Sequence, residues 1–104
     1  MHIDDTMWHD GTIEAISIDP KENGKSLLLE VMLYPDPINA KERKRYRIAI
    51  SDLQEFSLEG NVAEIIDNSG AGNIERGKMT NTELSIHLFG GTIRAKGKTN
   101  AEEF

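Results

Sequence analysis

The chain has 104 residues, a formal net charge of -6 at pH 7 and no cysteine, with 38% hydrophobic and 29% charged residues. That is one domain, 1–104, long enough for a core of Ile, Leu, Val and Met, and the composition excludes disulfides and thiolate metal sites. There is no apolar run near the roughly 20 residues of a membrane helix, no cationic-then-apolar leader in Met1-His2-Ile3-Asp4-Asp5, and too little positive charge for the whole surface to bind nucleic acid. A cytoplasmic protein with no membrane or direct nucleic-acid partner is the expectation.

Most segments alternate with period two, as half-buried strands do. Residues 12–19 form the first, with a shift near Ala15-Ile16 that suggests a bulge. Asp19-Pro20 stops it, and Glu22-Asn23-Gly24-Lys25 is a hairpin turn. Residues 27–34 are nearly all apolar and read as a central strand, ended by Pro35-Asp36-Pro37. Residues 43–50 alternate, with Lys44, Tyr46, Ile48 and Ile50 on one face and Arg43, Arg45, Arg47 and Ala49 on the other. Residues 51–56 fit either one helical turn capped by Ser51 or Asp52, or a strand edge.

Val62-Ala63-Glu64-Ile65-Ile66 is a short strand, and Asn68-Ser69-Gly70-Ala71-Gly72-Asn73 a loop by composition. Residues 74–79 carry a weak pattern. Residues 83–89 put Leu84, Ile86 and Leu88 inside, and Gly90-Gly91 turns the chain into residues 92–96 as a hairpin. The polar residues after Lys98 are expected to fray, with Phe104 able to tuck back. The predicted fold is all-β, mainly an antiparallel sandwich or barrel of about seven strands, with at most one short helix.

Short motifs carry little chemistry here. Gly72-Asn73-Ile74-Glu75-Arg76-Gly77-Lys78 has the spacing of a phosphate loop, but Met79 stands where Ser or Thr must ligate magnesium, and no helix follows. His2, Asp4, Asp5, His9 and Asp10 are of metal-ligand type, yet a chain end rarely fixes four ligands; they read as an acidic leader anchored by Trp8, and no metal or cofactor is expected. His87 falls outward, beside Ser85, with no strained nucleophile motif nearby. The basic run of residues 41–47 could meet phosphate, but its one aromatic, Tyr46, points to the core, so a charged edge strand, which blocks edge-to-edge aggregation, is the reading.

Charge segregation is the most informative feature. Residues 48–75 contain no Lys or Arg and six acids: Asp52, Glu55, Glu59, Glu64, Asp67 and Glu75. Residues 1–20 likewise hold Asp4, Asp5, Asp10, Glu14 and Asp19 without a basic residue. Segregation of this kind steers a charged partner. The six acids are the candidate binding residues, and no catalytic residue is assigned.

Trp8-His9-Asp10-Gly11 followed by Ile13 and Ile16, with Gly72-Asn73-Ile74 and Leu88-Phe89-Gly90-Gly91-Thr92-Ile93 later, resembles the immunity proteins of bacterial toxin–immunity pairs, including contact-dependent growth inhibition systems. The resemblance implies a small cytosolic protein without catalysis that binds one cognate toxin domain and blocks its active site. Such toxins are often basic nucleases, which an acidic strip would suit. It carries over no binding residues. A β barrel holding a small ligand, or a nucleic-acid-binding β module centred on residues 43–47, are the alternatives; scattered aromatics weaken the first and net charge the second.

Overall fold

The alternating segments assemble into one antiparallel sheet. The structure, a computed structural model, describes residues 2–19, 25–36, 38–39, 42–61, 63 and 74–104. A 3-10 turn at Asp5–Met7 precedes strands β1 (Thr12–Asp19), β2 (Ser26–Leu33), β3 (Lys44–Gly60), β4 (Ile74–Met79), β5 (Glu83–Leu88) and β6 (Gly91–Glu103). Their order across the sheet is β1-β2-β3-β6-β5-β4, every neighbour antiparallel. The expected all-β antiparallel fold is what forms, with six strands among the described residues. The short strand expected at residues 62–66 falls, except for Ala63, outside the described residues, as does the loop at 68–73. Among the described residues, no helix is long and apolar enough to cross a membrane.

β3 and β6 are the long central pair, and they bend together. Ser51 pairs with Lys98 and Glu55 with Lys96, so Asp52, Leu53 and Gln54 stand opposite the single Gly97. Asp52 takes a left-handed conformation, φ 50°, to accommodate the excess. A Cβ on Gly97 would lie 2.7 Å from both Ile50 Cγ2 and the Ser51 carbonyl oxygen, so the strands can approach only around a glycine. Of the two readings of residues 51–56, the strand edge holds and the helical turn does not. These residues are the middle of a strand that bends and runs on to Gly60. The tail expected to fray after Lys98 is paired with β3 out to Glu103, and Phe104 N–H donates to the Arg45 carbonyl.

On either side of the bend, inward side chains line up across strands. One half holds the row Ile16, Leu29, Ile48, Ala101. The other holds Phe56, Ala95, Leu84, Met79 and, beside it, Leu58, Ile93, Ile86, Gly77. The β1–β2 register slips between Ile13 and Ala15, which keeps both Ile13 and Ile16 on the inner face and accounts for the broken alternation there. Asp19 pairs with Ser26, closing the first hairpin, although most of its turn lies outside the described residues. The β5–β6 hairpin forms as expected but turns through Phe89-Gly90. Leu88 pairs with Gly91, and the positive φ, 97°, belongs to Gly90.

The sheet curls until its two outer strands meet. Asp10 N–H donates to the Ile74 carbonyl and Ile74 N–H to the Gly11 carbonyl, both at 3.0 Å. Trp8 enters the interior at this seam and is completely buried. It occupies the space above Gly77: a Cβ there would stand 2.4 Å from Trp8 Cδ2. Among the described residues the buried indole Nε1–H has no hydrogen-bond partner, a loss of about 1–3 kcal/mol. Burying roughly 150–250 Å² of indole at about 25 cal/mol/Å² contributes about 4–6 kcal/mol and outweighs it. The interior is completed by Leu27, Leu29, Val31, Leu33, Tyr46, Ile48 and Ile50, all essentially inaccessible.

Gly77→Val and Gly97→Val are each expected to lower stability by about 1–3 kcal/mol, because the added carbons meet an indole ring in one case and backbone in the other. Gly90→Val should also destabilise, through its left-handed φ, and Gly91→Val by less. Urea melts compare the four; a Gly97 variant as stable as the parent would contradict the tight bend.

Candidate interaction surface

Beyond the bend, β3 leaves β2 behind. The β2–β3 ladder ends at Leu27 opposite Ile50, and Leu53 N–H makes one further bond to the Lys25 carbonyl. Residues 55–60 are paired with β6 on one side, and on the other residues 54–60 make no backbone hydrogen bond among the described residues. Its side chains are open as well: all but the half-buried Phe56 are exposed, and Leu58, on the inner face, keeps 39% of its surface accessible. Among the described residues, this sheet edge is uncovered over seven residues.

Two of the six acidic candidates, Glu55 and Glu59, lie on this edge and share its outer face. Asp52 sits at the bend, 3.3 Å from Lys98 Nζ. Glu55 lies 3.5 Å from Lys96 Nζ, and the same ammonium reaches Glu83 at 3.9 Å. The acid-rich stretch thus does have countercharges, supplied across the ladder by β6. All these groups are at least half exposed, so each pair is worth at most about 1 kcal/mol. One lysine serves two carboxylates, and Glu59 has no ion-pair partner among the described residues; Arg94, opposite Ser57, stands on the same outer face between the rows of Glu55 and Glu59. Glu64 and Asp67 lie outside the described residues.

Glu75 is placed elsewhere, on β4 at the seam. His9 Nδ1–H donates to its carbonyl at 3.0 Å, and His9 Nε2 faces the Asp10 carboxylate at 3.6 Å. Asp10 itself is left-handed, φ 63°, a conformation that Asp tolerates better than most residues. The two stretches without Lys or Arg therefore touch here, Asp10 beside Glu75. Asp4 caps the 3-10 turn by accepting from Thr6 N–H at 3.0 Å and from the Thr6 hydroxyl, which together hold its carboxyl below the usual range. His2, Asp4 and Asp5 line a polar recess with Lys78, Thr80, Asn81 and Thr99, whereas His9 turns toward β4. The N-terminal histidines and acids are split between two places, and among the described residues they form no cluster able to hold a metal ion.

Residues 44–47 of the basic run lie not on an edge, as expected, but between β2 and β6, and they divide as the alternation requires. Tyr46 is buried, and burial pushes its hydroxyl pKa up, with Glu103 adding to the effect. Arg47 is held by Glu30 at 3.8 Å and Glu102 at 3.5 Å, with the Phe104 ring 4.3 Å beneath its guanidinium. Arg45 also faces that ring, and Arg43 faces Tyr34, each at 5.7 Å. Lys44 pairs with Glu103 at 3.4 Å.

The free cations are on the other half of the outer face. Lys78, Ser85, Arg94 and Ser57 form one cross-strand row, beside a groove of about 910 Å³. Lys78, Arg94 and the neighbouring Arg76 have no ion-pair partner among the described residues. Such a row, two cations and two hydroxyls, can hold an anion. His87 lies in the next row, between Arg76 and Thr92, half-buried on the outer face as alternation predicts. Counting back from the β5–β6 turn would have joined Ser85 to Arg94. Lys78 was out of reach of that count, because Gly77 hides the period of β4.

The chain matches no protein-family model, no curated protein and no solved structure. The geometry of the surface is therefore what bears on function. Thermal melts with and without a chelator are expected to coincide, since the N-terminal ligand types are divided between the recess and β4. A large drop in midpoint on chelation would mean that they converge in solution.

Proposed function

We propose that this chain is an immunity protein, which binds a cognate bacterial toxin domain with a basic surface, such as a nuclease, and occludes its active site. One observation carries the reading: the arm of β3 beyond the bend, residues 54–60, is an edge uncovered among the described residues, and it displays Glu55 and Glu59. Asp52 extends this acidic line to the bend. Glu75 lies apart from this line, three strands away on β4 at the seam. An exposed strand edge suits a protein surface rather than a small molecule. The filled interior, with Trp8 seated on Gly77, also favours action from the surface over a carrier's cavity. In this reading the acids accelerate encounter with the toxin, and the apolar edge holds the complex once formed.

Co-expression with the toxin domain encoded beside its gene tests the proposal. Cells carrying both genes should survive, and cells carrying the toxin alone should not. Equal killing with and without this chain would refute it. In the purified pair, Glu55→Lys with Glu59→Lys should slow association about tenfold at low salt and flatten its salt dependence. Arg43→Glu with Arg45→Glu should change association much less, which stopped-flow mixing at two ionic strengths measures.

A further inference from the structure

The uncovered arm has more specificity than its charge alone. Among the described residues, seven consecutive residues, 54–60, have no backbone partner on one strand edge over about 23 Å. This stretch contains no proline, no lysine and no bulge beyond Gln54, the devices that usually blunt such an edge. The register fixes what each side chain would meet. Glu55, Ser57 and Glu59 share the outer face, while Phe56 and Leu58 point inward, opposite Ala95 and Ile93 on β6. An added strand would continue both rows.

We infer that the arm captures its partner by strand addition, and that it selects an extended segment with the pattern basic–apolar–any–apolar–basic. The inference rests on the toxin-binding reading for its biological partner, but not for its chemistry. Basic side chains four residues apart fall opposite Glu55 and Glu59. The two apolar residues between them cover the open parts of Phe56 and Leu58. The spacing is the same for a parallel or an antiparallel addition, because side chains alternate with period two in both. The backbone bonds hold the segment, and the side chains choose it.

A second copy of this chain is the competing occupant, and charge argues against it. In an antiparallel self-pair centred on Ser57, each Glu55 stands opposite the partner's Glu59, so like charges face one another twice. The two glutamates reject the chain's own edge and recruit a basic one. Glu55 is already shared with Lys96 and Glu83, whereas Glu59 is unshared among the described residues, so Glu59 is the stronger selector.

The test uses the full chain, labelled with ¹⁵N, and a synthetic peptide of Thr residues around Lys-Val-Thr-Val-Arg. Amide protection on binding should appear within residues 54–60 and at alternate positions. A peptide with Glu in both basic places should bind about tenfold more weakly. In the Glu55→Lys, Glu59→Lys variant that order should invert. Protection elsewhere, no shift at millimolar peptide, or an uninverted order would overturn strand addition. Sedimentation should find the parent chain monomeric and the Glu55→Ser, Glu59→Ser variant self-associating. A parent dimer protected at residues 54–60 would instead make a second copy the occupant. The two proposals separate cleanly: toxin protection without protected amides in the arm leaves the immunity reading standing alone, and peptide capture without survival on co-expression leaves strand addition standing alone.

Discussion

The packing of Trp8 on Gly77 is the contact on which the rest of this fold depends. A curled sheet must bring its two outer strands together, and here the strands meet through only a short ladder at Asp10, Gly11 and Ile74. Two backbone hydrogen bonds, worth about 1 kcal/mol each, would not hold such a seam. The indole does, by burying its whole surface under β4. Gly77 is the complement: any side chain there would occupy the space of the ring. The Nε1–H, without a partner among the described residues, is tolerated because the apolar gain is several times larger.

The second constraint is the bend. Three residues of β3 opposite one glycine of β6 turn the long pair sharply and carry β3 beyond the reach of β2. The same irregularity that lets the sheet close leaves residues 54–60 open. Core and interaction surface are therefore two results of one insertion. Shortening β3 by the excess residues would straighten the pair, cover the arm and open the seam.

Strands whose inner face is fully buried were legible from the sequence. β2, the first half of β3 and β5 alternate because one face of each meets the core. The continuation of β3 was hidden, since most of its residues after Ile50 are exposed and period two has nothing to mark. The end of β6 was hidden in the same way: Lys98, Asn100 and Glu102 are outward, and among Gly97, Thr99 and Ala101 only Ala101 is a buried apolar residue. β4 looked weak because its inward position is a glycine filled from another part of the chain. The acids were visible, but their partners Lys96 and Lys98 were not, being brought alongside Glu55 and Asp52 by pairing across some forty residues. That Glu75 belongs with Asp10, and not with Glu55, could be read only from the curl of the sheet.

The seam also sets an order of events. Trp8 is synthesised before its seat at Gly77, which is made 69 residues later. At about 5–20 residues per second, that leaves the indole without its site for roughly 3–14 s. During that interval the β1–β2 hairpin has every partner it needs to form, whereas the N-terminal segment has none. Closure of the seam must wait for Gly77, and among the described residues it has the largest sequence separation of any backbone pairing. A domain so arranged should fold slowly for its size, with tryptophan fluorescence reporting the last step rather than the first.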